Sequence, residues 1–259
     1  MIVANKELGE TPLECIERAR IELGLDANMP MTYAGRLDPL ASGKLLILMG
    51  EECKEKEKYL GYDKEYEIEV LFGIKTDTGD ALGQITEVRP CVDTMSDLVA
   101  KVGAWAKFCG KFTQVYPVYS SKTVSRRSDL RKRQLHDLAR TGQLPDEMPT
   151  KEVEIYSIEE IGKGKRGGSQ ISSWIKGREL ASQAIENISN VNGDFRQKEI
   201  IAGWKKFERG YGAVDFPIIK LRISCSSGTY MRSLAERIGR EAGSVAFAFS
   251  IKRTKIDEF

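Results

Sequence analysis

Apolar and polar positions along this chain repeat with two different periods, and the changes of period mark out its elements. "KEYEIEVLFGI" (64–74) alternates every second residue, as a half-buried strand does, and "EVEIYSIEEI" (152–161) and "DFPIIKLRISCSS" (215–227) read the same way. "KLLILMG" (44–50) is a short continuous apolar run, which suits a buried strand or a short helix. Elsewhere a helical period takes over. Thr11 as N-cap, Pro12 at the first helical position and Glu14 closing a capping box predict a helix from about Pro12 to Leu23. "SDLVAKVGAWAKFCG" (96–110) predicts a helix capped by Ser96, and "SRRSDLRKRQLHDLARTG" (125–142) a basic helix ending at Gly142. "TYMRSLAERIGREAG" (229–243) predicts a helix closed by Gly243. The elements follow one another without regular βαβ spacing, so the expected class is α+β with a mixed, largely antiparallel sheet and flanking helices.

One stretch interrupts the pattern. Residues 163–213 are Gly-rich and basic at their start, helical in "GRELASQAIENI" and then basic and aromatic in "FRQKEIIAGWKKFERGYG". They read as an insertion between two strands of one sheet, a mobile arm within a single domain spanning 1–259.

With 259 residues, 41% of them hydrophobic, the chain can bury a substantial core. It shows no leader and no apolar run long enough to span a bilayer, so a cytoplasmic protein without a membrane partner is expected. Five scattered cysteines with no C-x-x-C pair suggest neither a disulfide framework nor a zinc knuckle. The single histidine, His136, reads as a solvated or half-buried helix residue, and one histidine argues against H-E-x-x-H zinc hydrolases and Ser-His-Asp machinery. Any acid, base or nucleophile must then be an Asp, Glu, Tyr, Lys or Cys.

The net charge is only +2, yet the sign is unevenly spread. Residues 51–69 carry a balance of −4, residues 119–140 a balance of +5, and residues 162–178 add five basic side chains and no acid. Basic segments interleaved with Tyr, Trp, Ser and Gly suit a phosphate backbone, which makes nucleic acid, RNA before DNA, the expected partner. Two motif matches are decoys. "GKGKRG" (162–167) lacks the βαβ units of a dinucleotide fold, and "DTG" (77–79) lacks the second copy that an aspartic protease needs.

"YAGRLDPLASG" (33–43) places a lone carboxylate, Asp38, between an arginine and a proline in a short loop. Asp-Pro is a common turn, so local evidence favours a structural role. The order of segments changes that reading. "GRLDPLASG" resembles the Asp loop of the TruB family of tRNA pseudouridine synthases, "NKELGETPLECI" its N-terminal segment, and "KEYEIEVLFGIKTDTGDALGQI" its tyrosine strand and following turn. "FCGKFTQVYPVYSS" and "ISCSSGTYMRSLAERIG" are similar to two further family segments, and together these run through most of residues 5–253.

The resemblance implies the pseudouridine synthase fold and the conversion of a uridine to pseudouridine in RNA, with U55 of the tRNA TΨC loop the expected target. The reaction breaks the N1–C1′ bond, turns the uracil and joins C5 to C1′. It is an isomerisation with no redox step, so neither cofactor nor metal is expected. Carried over by position, Asp38 is the reacting carboxylate, Tyr66 the strand tyrosine beneath the base and Arg232 the arginine that pairs with Asp38. Attack at C1′, addition at C6 and a glycal-like route all remain open for Asp38. Tyr33, Arg36 and Tyr230 are expected around the substrate, and Lys163, Lys165 and Arg166 on the RNA backbone. Tyr33 stands where many members carry a histidine, Glu7 where they carry a proline, and Tyr116 where the first of two prolines is usual. From where the chain stops, no C-terminal PUA-like module is expected, and the protein reads as a monomer. The alternatives are a synthase acting on ribosomal RNA, whose loops also read R-L-D, and a non-catalytic RNA-binding or RNA-folding protein of the same fold.

Overall fold

Eight strands gather into one sheet in this computed structural model, which describes residues 1–90, 95–126, 129–162, 175–212 and 214–257. In chain order the strands are β1 (Ile2–Lys6), β2 (Met31–Ala34), β3 (Ala41–Met49), β4 (Lys64–Phe72), β5 (Ile74–Thr76), β6 (Ile85–Val88) and β7 (Gly110–Val115). There follow β8 (Thr123–Arg126), β9 (Asp129–Gln134), β10 (Thr150–Glu160), β11 (Ile175–Lys176), β12 (Asp215–Phe216), β13 (Ile218–Cys225) and β14 (Ala246–Ile256). The helices are α1 (Pro12–Glu22), α2 (Lys56–Leu60), α3 (Met95–Val102), α4 (Leu135–Arg140), α5 (Gly177–Ser189), α6 (Gln197–Tyr211) and α7 (Met231–Glu241).

The large sheet runs β1-β3-β14-β4-β13-β10-β7, with β2 also paired to β3. Its pairs are antiparallel except β3 with β14, which run parallel through Ile251↔Ala41, Lys252↔Ser42 and Arg253↔Gly43. The α+β class with a mixed, mostly antiparallel sheet is therefore the observed one. "KLLILMG" belongs to β3, and the three alternating segments are β4, β10 and β13.

Helices cover the sheet where their apolar stripes dictate. Met231, Leu234, Ala235 and Ile238 of α7 fall at helical spacing and pack on Ile68, Val70 and Phe72 of β4 and Leu221 and Ile223 of β13. α1 begins with the expected capping box, Thr11 accepting from the Glu14 N–H at 3.3 Å and Glu14 from the Thr11 N–H at 2.7 Å. It lays Cys15, Ile16 and Ala19 on Leu45 and Ile47 of β3. No helix among the described residues is long and apolar enough to cross a membrane.

Three expectations are corrected. Residues 125–142 do not form one helix: β8 and β9 pair as a hairpin, and only Leu135–Arg140 is helical. Between Ser125 and Gln134 the sequence has one apolar residue, Leu130, so a helix there would have no face to bury. α3 starts at Met95, so Ser96 lies inside it, and Gly103 (φ +71°) ends it before a single tight turn at Trp105–Phe108. The part of 163–213 that is described is no mobile arm. α5 and α6 pack Ala184, Ile188, Ile200, Trp204 and Phe207 against Leu71, Phe216 and Phe247. Trp204 is buried, with its indole N–H on the Ala81 carbonyl at 3.1 Å.

Candidate active site

Asp38 lies on the link from β2 to β3, and the chain around it is held from beneath. Arg253 of β14 is buried and donates from Nε to the Lys44 carbonyl at 2.6 Å and from Nη2 to the Gly35 carbonyl at 3.0 Å. Gly43, at φ +100°, passes so close to β14 that a Cβ there would overlap the Arg253 carbonyl oxygen, which explains the glycine that closes "LDPLASG". The Asp38 carbonyl accepts from the Ala41 N–H at 2.9 Å. The neighbouring Pro39 carbonyl accepts from the Gly9 N–H at 3.0 Å and from the ammonium of Lys6 at 3.3 Å. Lys6 is buried, and that burial brings its pKa down to about 8.

A second acidic turn comes from the β5–β6 link. Asp80 is buried, and its Oδ1 accepts from the Thr78 hydroxyl at 2.7 Å and the Leu82 N–H at 2.9 Å. The turn is tied to β14 as well, through the Ala248 N–H on the Gly79 carbonyl at 3.0 Å.

Arg232, in the first turn of α7, stands between these two aspartates. Its Nη2 is 2.9 Å from Asp38 Oδ2 and its Nε 3.6 Å from Asp80 Oδ2. Nη1 donates to the Thr78 carbonyl at 2.8 Å and Nη2 also to the Tyr119 carbonyl at 3.1 Å. A cation in the first turn of a helix is disfavoured by the helix dipole. Burial also works against its charge, but Asp38 and Asp80 outweigh burial and raise the Arg232 pKa. For Asp80, burial dominates and raises its pKa even with Arg232 beside it. The side chain of Arg232 is 4% exposed and that of Asp38 is 34% exposed, so a fixed cation holds a carboxylate that solvent and ligand can reach.

Asp38, Asp80 and Arg232 line a cavity of about 290 Å³, together with Arg36, Thr78 and Tyr119. Tyr66, on β4, lies in the core cluster with Leu37 and Ala41 and, like Tyr230, is not among the residues lining the cavity; burial pushes its phenol pKa up, while Arg253, its neighbour on β14, pulls against that. Tyr230 precedes α7 with its backbone clasped by the Gln114 amide, at 2.8 Å and 3.1 Å. Its ring meets Tyr116 edge-on at 5.6 Å, so the tyrosine that departs from the Pro-Pro pattern packs against it. Tyr33 stands elsewhere: it lies half-buried on β2 with the Lys56 ammonium 5.0 Å from its ring centre, and it does not line the cavity. Lys163, Lys165 and Arg166 lie outside the described residues.

Residues 27–173 match the family described as TruB family pseudouridylate synthase (N terminal domain). The chain belongs to the TruB family. A protein of a Nostoc species named tRNA pseudouridine synthase B is 30% identical over 235 residues, covering 91% of this chain and 59% of that protein. A Ralstonia pickettii protein of the same name is 30% identical over 226 residues, covering 86% and 52%. The chain thus spans little more than half the length of these TruB relatives. Among solved structures, a crystal structure of a Cbf5-Nop10-Gar1 complex shares the fold, with a TM-score of 0.52, 16% identity and coverage of 98% of this chain and 48% of that one.

Several residues of this TruB-family cleft were not read from the sequence as parts of a site. Asp80 sits in the quoted "TDTGDALG" segment, whose spacing alone carries no sign that its last carboxylate turns inward. His136 lines the cavity, its Nδ1 3.2 Å from the Ser120 carbonyl, although its basic surroundings suggest a surface helix. Asp194, Phe195 and Arg196 line it too, from the stretch that reads as an arm.

Proposed function

We propose that this chain converts a uridine to pseudouridine in RNA, with U55 of the tRNA TΨC loop as the target and Asp38 as the reacting carboxylate. The observation that carries the reading is the pairing of a reachable Asp38 with a buried Arg232, whose two terminal nitrogens are held by the Thr78 and Tyr119 carbonyls, inside a cavity. The buried fork orients the carboxylate and cannot itself move toward a ligand. A uridine stacked in an RNA loop must be turned out to enter such a cavity. In this proposal Tyr66 supplies an aromatic floor for the base, and Tyr230 and Arg36 border the bound nucleotide. Because the isomerisation balances without an electron acceptor, the proposal calls on no cofactor. The proposed setting is a cytoplasmic monomer on tRNA, with Lys163, Lys165 and Arg166 on the RNA backbone.

The test is pseudouridine formation on a tRNA transcript, read by tritium release and by chemical mapping of the modified position. The unaltered protein should modify the TΨC loop, and Asp38→Asn should abolish turnover while tRNA affinity stays within a few fold, since one carboxylate hardly changes phosphate contacts. Near-normal turnover by Asp38→Asn overturns the assignment. Binding without conversion by the unaltered protein marks a non-catalytic RNA-binding protein, and conversion confined to ribosomal transcripts marks the other branch.

A further inference from the structure

The cavity around Asp38 has one wall built from residues outside the 27–173 stretch that matches the family. α5 and α6 are joined by an elbow, residues 190–196, whose Asp194, Phe195 and Arg196 line the cavity. It is tied down in three places. The Asn192 N–H reaches the Gly9 carbonyl at 3.4 Å, and Gly9 itself donates to the carbonyl of Pro39, beside Asp38. Gly9 has a φ of +87°, and a Cβ there would come within 2.5 Å of the Asn190 oxygen, so glycine is what lets the two segments touch. Arg140 Nη2 pairs with Asp194 Oδ2 at 2.6 Å.

The third tie is Arg196, which adopts a left-handed backbone (φ +63°) that residues with a Cβ rarely take. Its Nη1 lies 2.9 Å from Asp77 Oδ2 and 3.0 Å from the Tyr119 hydroxyl, and its Nη2 3.4 Å from Asp77 Oδ1. The guanidinium also stacks 4.4 Å from the Tyr119 ring centre. Asp77 therefore grips the fork end-on. The side edge, made by Nε–H and the second Nη2 hydrogen, has no hydrogen-bond partner among the described residues, and the side chain is 24% exposed.

We propose that this elbow is a substrate-binding wall of the cleft and that the side edge of Arg196 takes a phosphodiester oxygen pair next to the target nucleotide. The proposal rests on the reading of Asp38 as the group that meets a turned-out nucleotide, because the phosphates on either side of such a nucleotide must then pass along the cavity rim. Two arginines of the wall are committed elsewhere: Arg232 to both aspartates and two carbonyls, Arg140 to Asp194. Arg196 presents two parallel N–H groups in the geometry that phosphate accepts bidentately, already fixed by a carboxylate and an aromatic face. Little freedom remains to be lost when the strand docks.

The experiment compares tRNA binding across a salt series, and turnover at saturating tRNA, for the unaltered full chain and for Arg196→Ala, Arg196→Lys and Asp194→Ala. Arg196→Ala should weaken binding about tenfold or more. It should also flatten the slope of log affinity against log salt by roughly 0.7 to 0.9, one phosphate contact. Arg196→Lys should restore the slope but only part of the affinity, since lysine keeps the charge and loses the fork. Asp194→Ala loosens the elbow, keeps that cation and releases Arg140, so the slope should stay the same or steepen and should not flatten. An Arg196→Ala protein with the slope of the unaltered one overturns the proposal, as does an equal change in Asp194→Ala, which would make the elbow a buttress alone. Binding is read without catalysis. An unaltered protein that binds but does not convert therefore strikes the catalytic reading, whereas an unchanged slope in an active protein strikes the elbow.

Discussion

Arg232 serves two aspartates, and it serves them unequally. Asp38 takes a direct contact from Nη2, whereas Asp80 faces Nε at 3.6 Å, too long for a hydrogen bond, and leans on Thr78 and Leu82 instead. That inequality leaves burial as the main influence on Asp80 and raises its pKa above the ordinary value of 3.8. A carboxyl with a raised folded pKa holds its proton more tightly in the folded state than in the unfolded chain. Its favourable share of stability is complete below the unfolded value and is lost as pH climbs through the folded one. Asp80→Asn removes this slope. Chemical denaturation at a series of pH values from about 4 to about 7 should therefore show the variant gaining on the unaltered protein as pH rises. A difference that stays constant with pH would show that Asp80 is not held this way. Turnover by the same variant should fall roughly tenfold to a hundredfold, because Arg232 loses the second charge that centres it against Asp38.

At the scale of elements, α6 shows how a basic, aromatic stretch becomes part of a core. Ile200, Trp204 and Phe207 follow helical spacing, and burying them leaves Lys205, Lys206 and Arg209 exposed on the other side. The Trp204 ring lies 5.6 Å from Phe207 and 5.9 Å from Phe247, and its N–H is satisfied by the Ala81 carbonyl. Trp204→Ala should cost about 3–5 kcal/mol in urea unfolding, through the cavity and the orphaned carbonyl together. A loss below about 1 kcal/mol would mean the helix contributes little to the fold. The capping box of α1 was legible because Thr11, Pro12 and Glu14 are neighbours in sequence and their bonds are local. The β8–β9 hairpin was not, because its charged residues fit a helix surface as readily as a two-stranded ribbon, and only the cross-strand pairing distinguishes them.

At the scale of the molecule, β14 is where the site comes together. It lies between β3 and β4, carries Arg253 under the Asp38 loop and Ala248 against the Asp80 turn, and contributes Phe247 to the packing of α6. A strand near the C-terminus of the chain thus completes hydrogen bonding on both its edges. Removing residues 244–259 should leave two internal strand edges open and give a chain without cooperative unfolding by circular dichroism or calorimetry. A truncated protein that keeps a sharp transition would show that β3 and β4 close without it.

Element types were set by periodicity in the sequence where a period is present: alternation in β4, β10 and β13, helical spacing in α7; the continuous apolar run of β3 fitted a strand or a short helix, and pairing in the sheet decided it. The order of short motifs was also readable there, and with it the candidacy of Asp38, Tyr66 and Arg232. Neither periodicity nor motif order reports distance between residues far apart in the chain. That Arg232 meets Asp80 as well as Asp38, that Arg253 holds the loop from beneath and that Arg196 reaches Asp77 were decided by tertiary structure alone. Each of these contacts joins residues more than a hundred positions apart, where local propensity has no reach and only the closing of the sheet and the docking of helices bring charges to one place.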